Sequence, residues 1–323
     1  MSSDTAESTP LETFADLGIA ADIIEGLTDL GYQKPLEVQI AAIRLILEGR
    51  HVSLRSKTGS GKTAAFGIPL IQKLTSTIQK PAVLVLAPTR ELAGQIAAEL
   101  TGIGHHRKIE VVAVYGGASI SDQINKIKAG VQIVVGTPGR LLDLVRRRVL
   151  KPDTFKAVVL DEADEMLSMG FYEDVTSLMD GCTNCEQVVI LSASLDEDTK
   201  SLVDRYTSDV VRIDLSADVL SVDGIHNIYY TIGDELPRHH YLLHVMAVEK
   251  PSSAIVFVNT RKDASLVATL MAREGLQTEM ISGELPQKER ERVMAAIRSG
   301  ELRPGRARDR YQRFVARDQL QPA

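Results

Sequence analysis

Short apolar runs recur along the chain, and each ends in polar or turn-forming residues. The clearest runs lie at 82–89, 131–139, 157–164, 188–194 and 254–260. Runs of this length that are rich in Val and Ile are typical of strands buried on both faces of a sheet. The pattern therefore predicts a series of buried strands.

Helical patterns separate these runs. In 19–31 the apolar residues fall on one face and Gly31 predicts the helix end, and a second helical pattern covers 36–49. Alternation of strand and helix predicts an α/β fold with a parallel sheet and right-handed crossovers. Ligands bind beyond the carboxyl ends of the strands in such sheets. The polar clusters PTRELA, TPGR, DEAD and SAS stand at those predicted ends.

Length and composition indicate a globular protein of two domains. The chain has 323 residues, of which 44% are hydrophobic and 25% charged. It lacks a long apolar run and a secretory signal, and it has two cysteines, so we expect a cytoplasmic protein without a disulfide framework. The net charge of −6 means that any binding of nucleic acid depends on local groups.

The patterns divide the chain into four segments. We expect a first domain at 1–213, a linker at 214–226, a second α/β pattern at 227–302 and an Arg-rich tail at 303–323. The tail holds six Arg and two Asp. We expect it to be disordered or loosely helical, without a strand.

The segment SKTGSGKT has the form of a phosphate-binding loop between a strand and a helix. Two glycines let backbone N–H groups face phosphate oxygens, a lysine reaches the β- and γ-phosphates, and a threonine hydroxyl holds Mg²⁺. The general pattern begins with Gly, where this chain has Ser56. The alternative is a Gly/Ser-rich turn without a ligand. The predicted loop residues are Ser56, Lys57, Thr58, Gly59, Ser60, Gly61, Lys62 and Thr63.

Three acids follow the apolar run at 157–160. Asp161, Glu162 and Asp164 would repel one another and raise each other's pKa unless a cation lies among them. Mg²⁺ bound to a nucleotide supplies that cation, so Asp161 and Thr63 are predicted metal ligands. Glu162 is predicted to orient and deprotonate the attacking water. The alternative is a solvated acidic start of a helix.

These motifs, in this order, resemble those of the DEAD-box ATP-dependent RNA helicases, most closely the bacterial cold-shock type, over about 13–302. The resemblance implies a P-loop NTPase with a RecA-like parallel-sheet domain and a second RecA-like domain. It also implies ATP and Mg²⁺ as cofactors, sequence-independent binding of single-stranded RNA, and unwinding of short duplexes. Lys62 would act in catalysis with Asp161 and Glu162.

The resemblance assigns further residues. Phe14 or Tyr32 would pack near the adenine, and Gln39 would read its edge and favour ATP over GTP. Leu36 stands where the family usually has a hydroxyl. The implied RNA contacts are Pro88, Thr89, Arg90, Gly117, Thr137, Pro138, Gly139 and Arg140. Asp164, Ser192 and Ser194 would couple the nucleotide state to domain closure.

Beyond about residue 302 the resemblance ends. The family's Ala-Thr-Asp motif and its final arginine motif are absent from the sequence. We expect a truncated second RecA-like domain whose sheet is uncovered at one edge, from a truncated or frameshifted gene. One alternative function is therefore a catalytically impaired ATP- and RNA-binding remnant that lacks the arginine finger. Another is a DNA-directed helicase or a different phosphate-loop ATPase.

Overall fold

The computed structural model divides into two compact units, Met1–Leu220 and Ser221–Ala323. The division falls inside the segment 214–226. The residues that it describes are 13–56, 59–77, 80–215, 226, 228–233, 235–251, 253–282, 285, 287–299 and the backbone of 313–318.

The first unit alternates strands and helices throughout. Its strands are β1 (Val52–Arg55), β2 (Val83–Leu86), β3 (Val111–Val114), β4 (Ile133–Gly136), β5 (Ala157–Leu160), β6 (Gln187–Ser192) and β7 (Val211–Asp214). Its helices are α1 (Ala21–Asp29), α2 (Glu37–Leu47), α3 (Lys62–Lys73), α4 (Arg90–Ile103), α5 (Ile120–Lys128), α6 (Pro138–Arg146), α7 (Ala163–Ser168), α8 (Tyr172–Gly181) and α9 (Glu197–Tyr206), with a 3-10 turn at Pro152–Thr154.

The seven strands form one sheet in the order β3-β4-β2-β5-β6-β1-β7. Every pair of neighbours is parallel; in β2, for example, Val83 aligns with Ile133 of β4 and with Ala157 of β5. The α/β fold with a parallel sheet, predicted from the sequence, is confirmed.

Helices cover both faces of this sheet. In β2, Val83 and Val85 pack into one apolar cluster with α1–α4, whereas Leu84 and Leu86 pack into a second cluster with α5–α9. All four residues are at most 3% exposed. Burial on both faces, predicted from the apolar run, is confirmed for β2.

The second unit contains a smaller parallel sheet. Its elements are α10 (Arg238–Glu249), β8 (Ser253–Val258), α11 (Arg261–Arg273), β9 (Gln277–Ile281), α12 (Gln287–Ser299) and β10 (Arg313–Asp318). The strands lie in the order β8-β10-β9 and pair in parallel. Among the residues described in either unit, no helix is long and apolar enough to cross a membrane.

Strand β10 corrects one expectation about the segment 303–323, which was predicted to contain no strand. Arg313–Asp318 instead lies between β8 and β9, where Val315 aligns with Ile255 and Glu279. The apolar residues Phe314–Ala316 suffice for a strand that pairs on both sides, although arginines dominate the composition around them. The sheet still ends at an uncovered edge, as predicted, because among the described strands β8 pairs with β10 alone.

Strand β8 corrects a second expectation, since it is buried on one face only. Val256 is 8% exposed and packs against α11, whereas Ile255 and Phe257 are 55% and 56% exposed. An apolar run shows that a strand can be buried on both faces. It does not show whether helices cover both faces.

Candidate functional site

The predicted site residues that the structure describes at strand ends lie along the carboxyl edge of the first unit's sheet. The predicted nucleotide and coupling residues there follow β1, β5 and β6. The predicted RNA residues follow β2, β3 and β4. Because the sheet order is β3-β4-β2-β5-β6-β1, the two groups occupy adjacent halves of one edge. The outer residues Phe14, Tyr32 and Gln39 precede β1 in the chain.

The phosphate loop connects β1 to α3. Gly59 and Gly61 have φ of 78° and 85°, a left-handed conformation that glycine adopts without strain. Lys62 is 6% exposed, and its Nζ donates to the carbonyl of Ser56 at 2.9 Å. The hydroxyls of Ser56 and Ser60 lie 2.8 Å apart. The loop thus holds a buried cation at the N-terminus of a helix, which is an arrangement suited to anions.

Three other predicted loop positions complete this account. Thr63 is partly buried as the second residue of α3. Lys57 and Thr58 lie outside the described residues.

Gln39 joins the start of α2 to the phosphate loop. Its Oε1 accepts from the Leu36 N–H at 2.9 Å, and its Nε2 donates to the Gly61 carbonyl at 3.2 Å. Leu36 has no hydroxyl to cap α2, so the Gln39 side chain supplies one capping bond. Gln39 is fully buried, and a nucleotide at the loop would lie close to it.

Phe14 and Tyr32 lie in edge-on contact, with ring centroids 6.5 Å apart. Phe14 is 4% exposed and belongs to the core. The Tyr32 hydroxyl donates to Glu99 Oε1 at 2.5 Å. Burial, followed by this bond to Glu99, raises the pKa of Tyr32 well above its usual value. No sequence signal singled out Glu99, which is one polar residue among several on α4.

The acids after β5 are in a strained and buried setting. Asp161 is 3% exposed, and burial raises its pKa to about 7; the charge of Lys62 opposes this rise and the charge of Glu162 adds to it. Glu162 has φ 53° and ψ 53°, a left-handed backbone that is rare for a residue other than glycine. Burial also raises the pKa of Glu162. Strain of this kind concentrates at functional sites.

Asp164 connects the acidic motif to the end of β6. Its Oδ2 accepts from the N–H groups of Ala193 and Ser194 at 3.1 and 2.7 Å, and from the Ser194 hydroxyl at 2.9 Å. Ser192 is buried, and its carbonyl accepts from the Ser56 N–H at 3.1 Å. A continuous set of hydrogen bonds therefore joins the phosphate loop, β6 and the acidic motif.

The other half of the edge is lined by arginines and helix starts. Arg90 lies against Gly117, where an added Cβ would come within 2.1 Å of its Nη1 and where φ is +80°. Arg140 Nη1 donates to Gln123 Oε1 at 2.8 Å, and Gln123 Nε2 donates to the Tyr115 carbonyl at 3.1 Å. Both arginines thus flank the loop that follows β3. Gln123 was not predicted, since a single glutamine on a helix gives no signal.

The helix starts in this half differ in their capping. The Thr89 hydroxyl caps α4 by accepting from the Leu92 N–H at 3.2 Å, and Pro88 beside it is buried. The Thr137 side chain makes no capping bond, and Pro138 opens α6. The N–H groups of Gly139 and Arg140 in this first turn are therefore suited to an anion.

Two family models match the chain. The model described as DEAD/DEAH box helicase matches residues 36–202, and the model described as helicase conserved C-terminal domain matches residues 238–303.

Two curated relatives resemble most of the chain. "ATP-dependent RNA helicase DeaD" of Escherichia coli is 40% identical over 291 residues, which cover 90% of this chain and 46% of the relative. "RNA helicase CrhR" of Synechocystis is 38% identical over 296 residues, which cover 92% and 60%. The chain therefore spans about half the length of the curated relatives that it matches.

Solved structures give the same result. A structure of Dbp5 from S. cerevisiae bound to RNA and ADP BeF3 matches with a TM-score of 0.80 at 26% identity, covering 94% of this chain and 75% of that one. A DEAD box protein from Methanococcus jannaschii matches with a TM-score of 0.61 at 30% identity, covering 94% and 80%.

Proposed function

We propose, from the premise that the chain belongs to the DEAD/DEAH box helicase family, that it binds ATP with Mg²⁺ and the backbone of single-stranded RNA, hydrolyses the ATP, and unwinds short RNA duplexes. The observation that carries this proposal is the convergence of buried Lys62, buried Asp161 and strained Glu162 beside a glycine loop at the edge of the sheet. A fold does not need such a costly cluster for stability.

In the nucleotide half, Lys62 leaves the Ser56 carbonyl to reach the β- and γ-phosphates, while N–H groups of the loop contact phosphate oxygens. Glu162 accepts a proton from the water that attacks the γ-phosphorus, while the bond from the γ-phosphorus to the β–γ bridging oxygen breaks and ADP leaves. Its raised pKa supports this role, because a base works best when its pKa lies near the working pH. Gln39 contacts the adenine edge and favours ATP over GTP, and Phe14 and Tyr32 form the apolar side of that subsite.

The residues present fit Mg²⁺. Asp161 is a buried carboxylate whose pKa is raised by burial and by the neighbouring charge of Glu162, and a divalent cation relieves both effects. Asp161 and Thr63 would hold the ion together with phosphate oxygens and water. When bound, Mg²⁺ supplies positive charge that neutralises the phosphate groups.

In the RNA half, Arg90, Arg140 and the hydroxyls of Thr89 and Thr137 contact phosphate and sugar, and Gly117 and Gly139 let the strand approach the backbone. Pro88 and Pro138 fix the turns that present these groups. Such contacts read no bases, so binding is independent of sequence. The similarity of this chain to Dbp5 in its RNA-bound structure supports this proposal.

The hydrogen bonds between Asp164 and Ser194 support a coupling role, in which the acidic motif and the end of β6 respond together to the nucleotide. We assign ATP binding to 1–213, the linker to 214–226 and a partial C-terminal helicase domain to 227–302, followed by the Arg-rich segment 303–323.

Nucleotide binding is tested by titrating the chain with a fluorescent ATP analogue in the presence of Mg²⁺. Lys62→Ala should abolish binding, and Gln39→Ala should reduce the preference for ATP over GTP as competitor. Equal binding by the wild type and by Lys62→Ala would contradict the assignment of the loop.

RNA binding is tested by fluorescence anisotropy with a labelled single strand. Arg90→Ala and Arg140→Ala should weaken binding, since each removes a cation from the predicted RNA-contacting residues. Arg146→Ala is the matched control, because Arg146 is exposed at the opposite end of α6 from Arg140. If a DNA strand competes as well as an RNA strand, the assignment to RNA is wrong and the DNA-directed alternative holds.

A further inference from the structure

Strand β8 presents an uncovered apolar surface. Ile255 and Phe257 point to the same side of the sheet and are 55% and 56% exposed. The opposite side of β8 packs on α10 and α11. Among the described side chains, α12 packs on this side at β9, where Val293 contacts Ile281. We call Ile255 and Phe257 the open face.

The same strand has an open edge. Within the described part of the second unit, β8 is hydrogen-bonded to β10 and to no other strand, so it ends the order β8-β10-β9. An exposed edge beside an apolar face is a template for another strand.

The second unit also carries a segment that could fill that edge. Ile228–Ile232 reads IYYTI, which is rich in residues favoured in strands. It forms no strand or helix here. Ile228 is 64% exposed and Tyr229 is 91% exposed. An exposure of this size is unusual for an apolar segment of a monomer.

We propose that this surface joins two copies of the chain, with Ile228–Ile232 of each copy added as a parallel strand to the open edge of β8 in the other. A surface and its complement on one unit make a closed two-fold pair possible. With Ile228 opposite Ala254, Tyr229 covers Ile255. This register also brings Glu235 to the start of α11.

Charge supports this occupant. Glu235 is exposed three residues after the segment, and Arg261 and Lys262 are exposed at the start of α11, directly beyond β8. The parallel register therefore pairs an acidic end with a basic end. It also continues the parallel pairing of the β8-β10-β9 sheet.

The molar mass of the full chain, measured by light scattering after size exclusion from about 1 to about 100 µM, tests the proposal. The wild type should approach twice the monomer mass of 35.3 kDa as concentration rises. The double variant Ile255→Lys/Phe257→Lys should remain a monomer, because two buried charges oppose the contact.

A second variant acts on the other half of the contact. Thr231→Pro removes a backbone N–H from the segment and leaves β8 unchanged, and it should also give a monomer. Circular dichroism confirms that each variant is folded. Leu266→Lys is the control, since Leu266 is 41% exposed on α11 away from the open face, and it should dimerise like the wild type.

Four results would overturn the proposal. The first three are a wild type that is monomeric at every concentration, a dimer that survives in both test variants, and loss of the dimer in the Leu266→Lys control. A broad distribution of larger species instead of a dimer would also contradict it.

Discussion

Two strands of the molecule have similar local sequences and very different surroundings. Residues 84–90 of the first unit read LVLAPTR, and residues 255–261 of the second read IVFVNTR. Each strand leads into a helix that a threonine hydroxyl caps. Yet Leu86 is fully buried, whereas Phe257, at the matching position, is 56% exposed.

The likeness extends to the neighbouring strands. In the first unit β4 lies between β2 and β3, and in the second β10 lies between β8 and β9. The two strands differ in the helices that pack on their second face. Helices α5–α9 pack on Leu84 and Leu86, whereas no described helix packs on Ile255 and Phe257. Local sequence therefore specifies a strand and its cap, and the later elements of the chain decide whether its second face is buried.

The largest expected contrast comes from truncating the matched residues. Leu86→Ala should lower the free energy of unfolding by about 2–5 kcal/mol because it leaves a cavity in a fully packed core. Phe257→Ala should change it by about 0.5 kcal/mol or less. Urea unfolding followed by circular dichroism, at a concentration where the chain is monomeric, measures both. A similar loss in the two variants would mean that the second face of β8 is covered after all.

Tight packing of the first unit has an electrostatic cost, because it buries the carboxylate of Asp161. Burial raises the pKa of Asp161 from 3.8 to about 7. At a pH between these two values, Asp161 is protonated in the folded nucleotide-free chain and ionised in the unfolded chain. The stability contributed by this group is thus present at low pH and is lost as pH rises toward 7. Asp161→Asn should stabilise the nucleotide-free chain above pH 7, by up to about 4 kcal/mol.

The measurement is the Tm of both proteins without nucleotide across this pH range. The gain should shrink as pH falls toward 4. A gain that does not vary with pH would show that Asp161 is not held in its protonated form.

The threonine caps of α4 and α11, which follow β2 and β8, test the feature that the two strands share. Thr89→Ala and Thr260→Ala should each cost about 1 kcal/mol, since each removes the hydroxyl that accepts from the third N–H of its helix. Hydrogen exchange read by mass spectrometry should show faster exchange at the start of α4 in one variant and of α11 in the other. An effect on only one of the two helices would contradict the claim that similar local sequences cap both.

The smallest expected effect comes from the hydrogen bond between His106 and Asp29 in the first unit. His106 Nε2 lies 2.7 Å from Asp29, and this bond raises the pKa of the histidine. The stabilisation is complete below the unfolded pKa and is lost as pH rises through the raised pKa. His106→Gln should lower the Tm slightly at about pH 6 and not at about pH 8.5, while His105→Gln should lower it at neither.

Much of the fold and family could be predicted from sequence. The family resemblance, argued from the loop at 56–63 and the acids after 160, is confirmed by the matches to helicase models and relatives. These residues are recognisable because phosphate and metal chemistry needs particular residue types at particular spacings. The buried runs that became β2, β4, β5 and β6 were equally clear.

Other features depend on tertiary contacts and could not be predicted. Strand β7 reads VRID and is only partly buried, so it has no continuous apolar run. Strand β3 does read VVAV, but only alternate residues of it are buried, and it was not among the predicted strands. The left-handed backbone at Glu162, the bond between Arg140 and Gln123, and the pairing of β10 all depend on residues distant in sequence. The predicted roles of the site residues stay predictions until they are measured.

Steady-state ATP hydrolysis by the purified chain, with and without single-stranded RNA and beside Glu162→Gln, tests the central claim most directly. The account predicts turnover that RNA stimulates and that Glu162→Gln abolishes, because Glu162 then has no carboxylate to accept the proton of the attacking water. Turnover by the wild type equal to that of Glu162→Gln, with or without RNA, would contradict it. The chain would then be at most an ATP- and RNA-binding protein, without helicase activity.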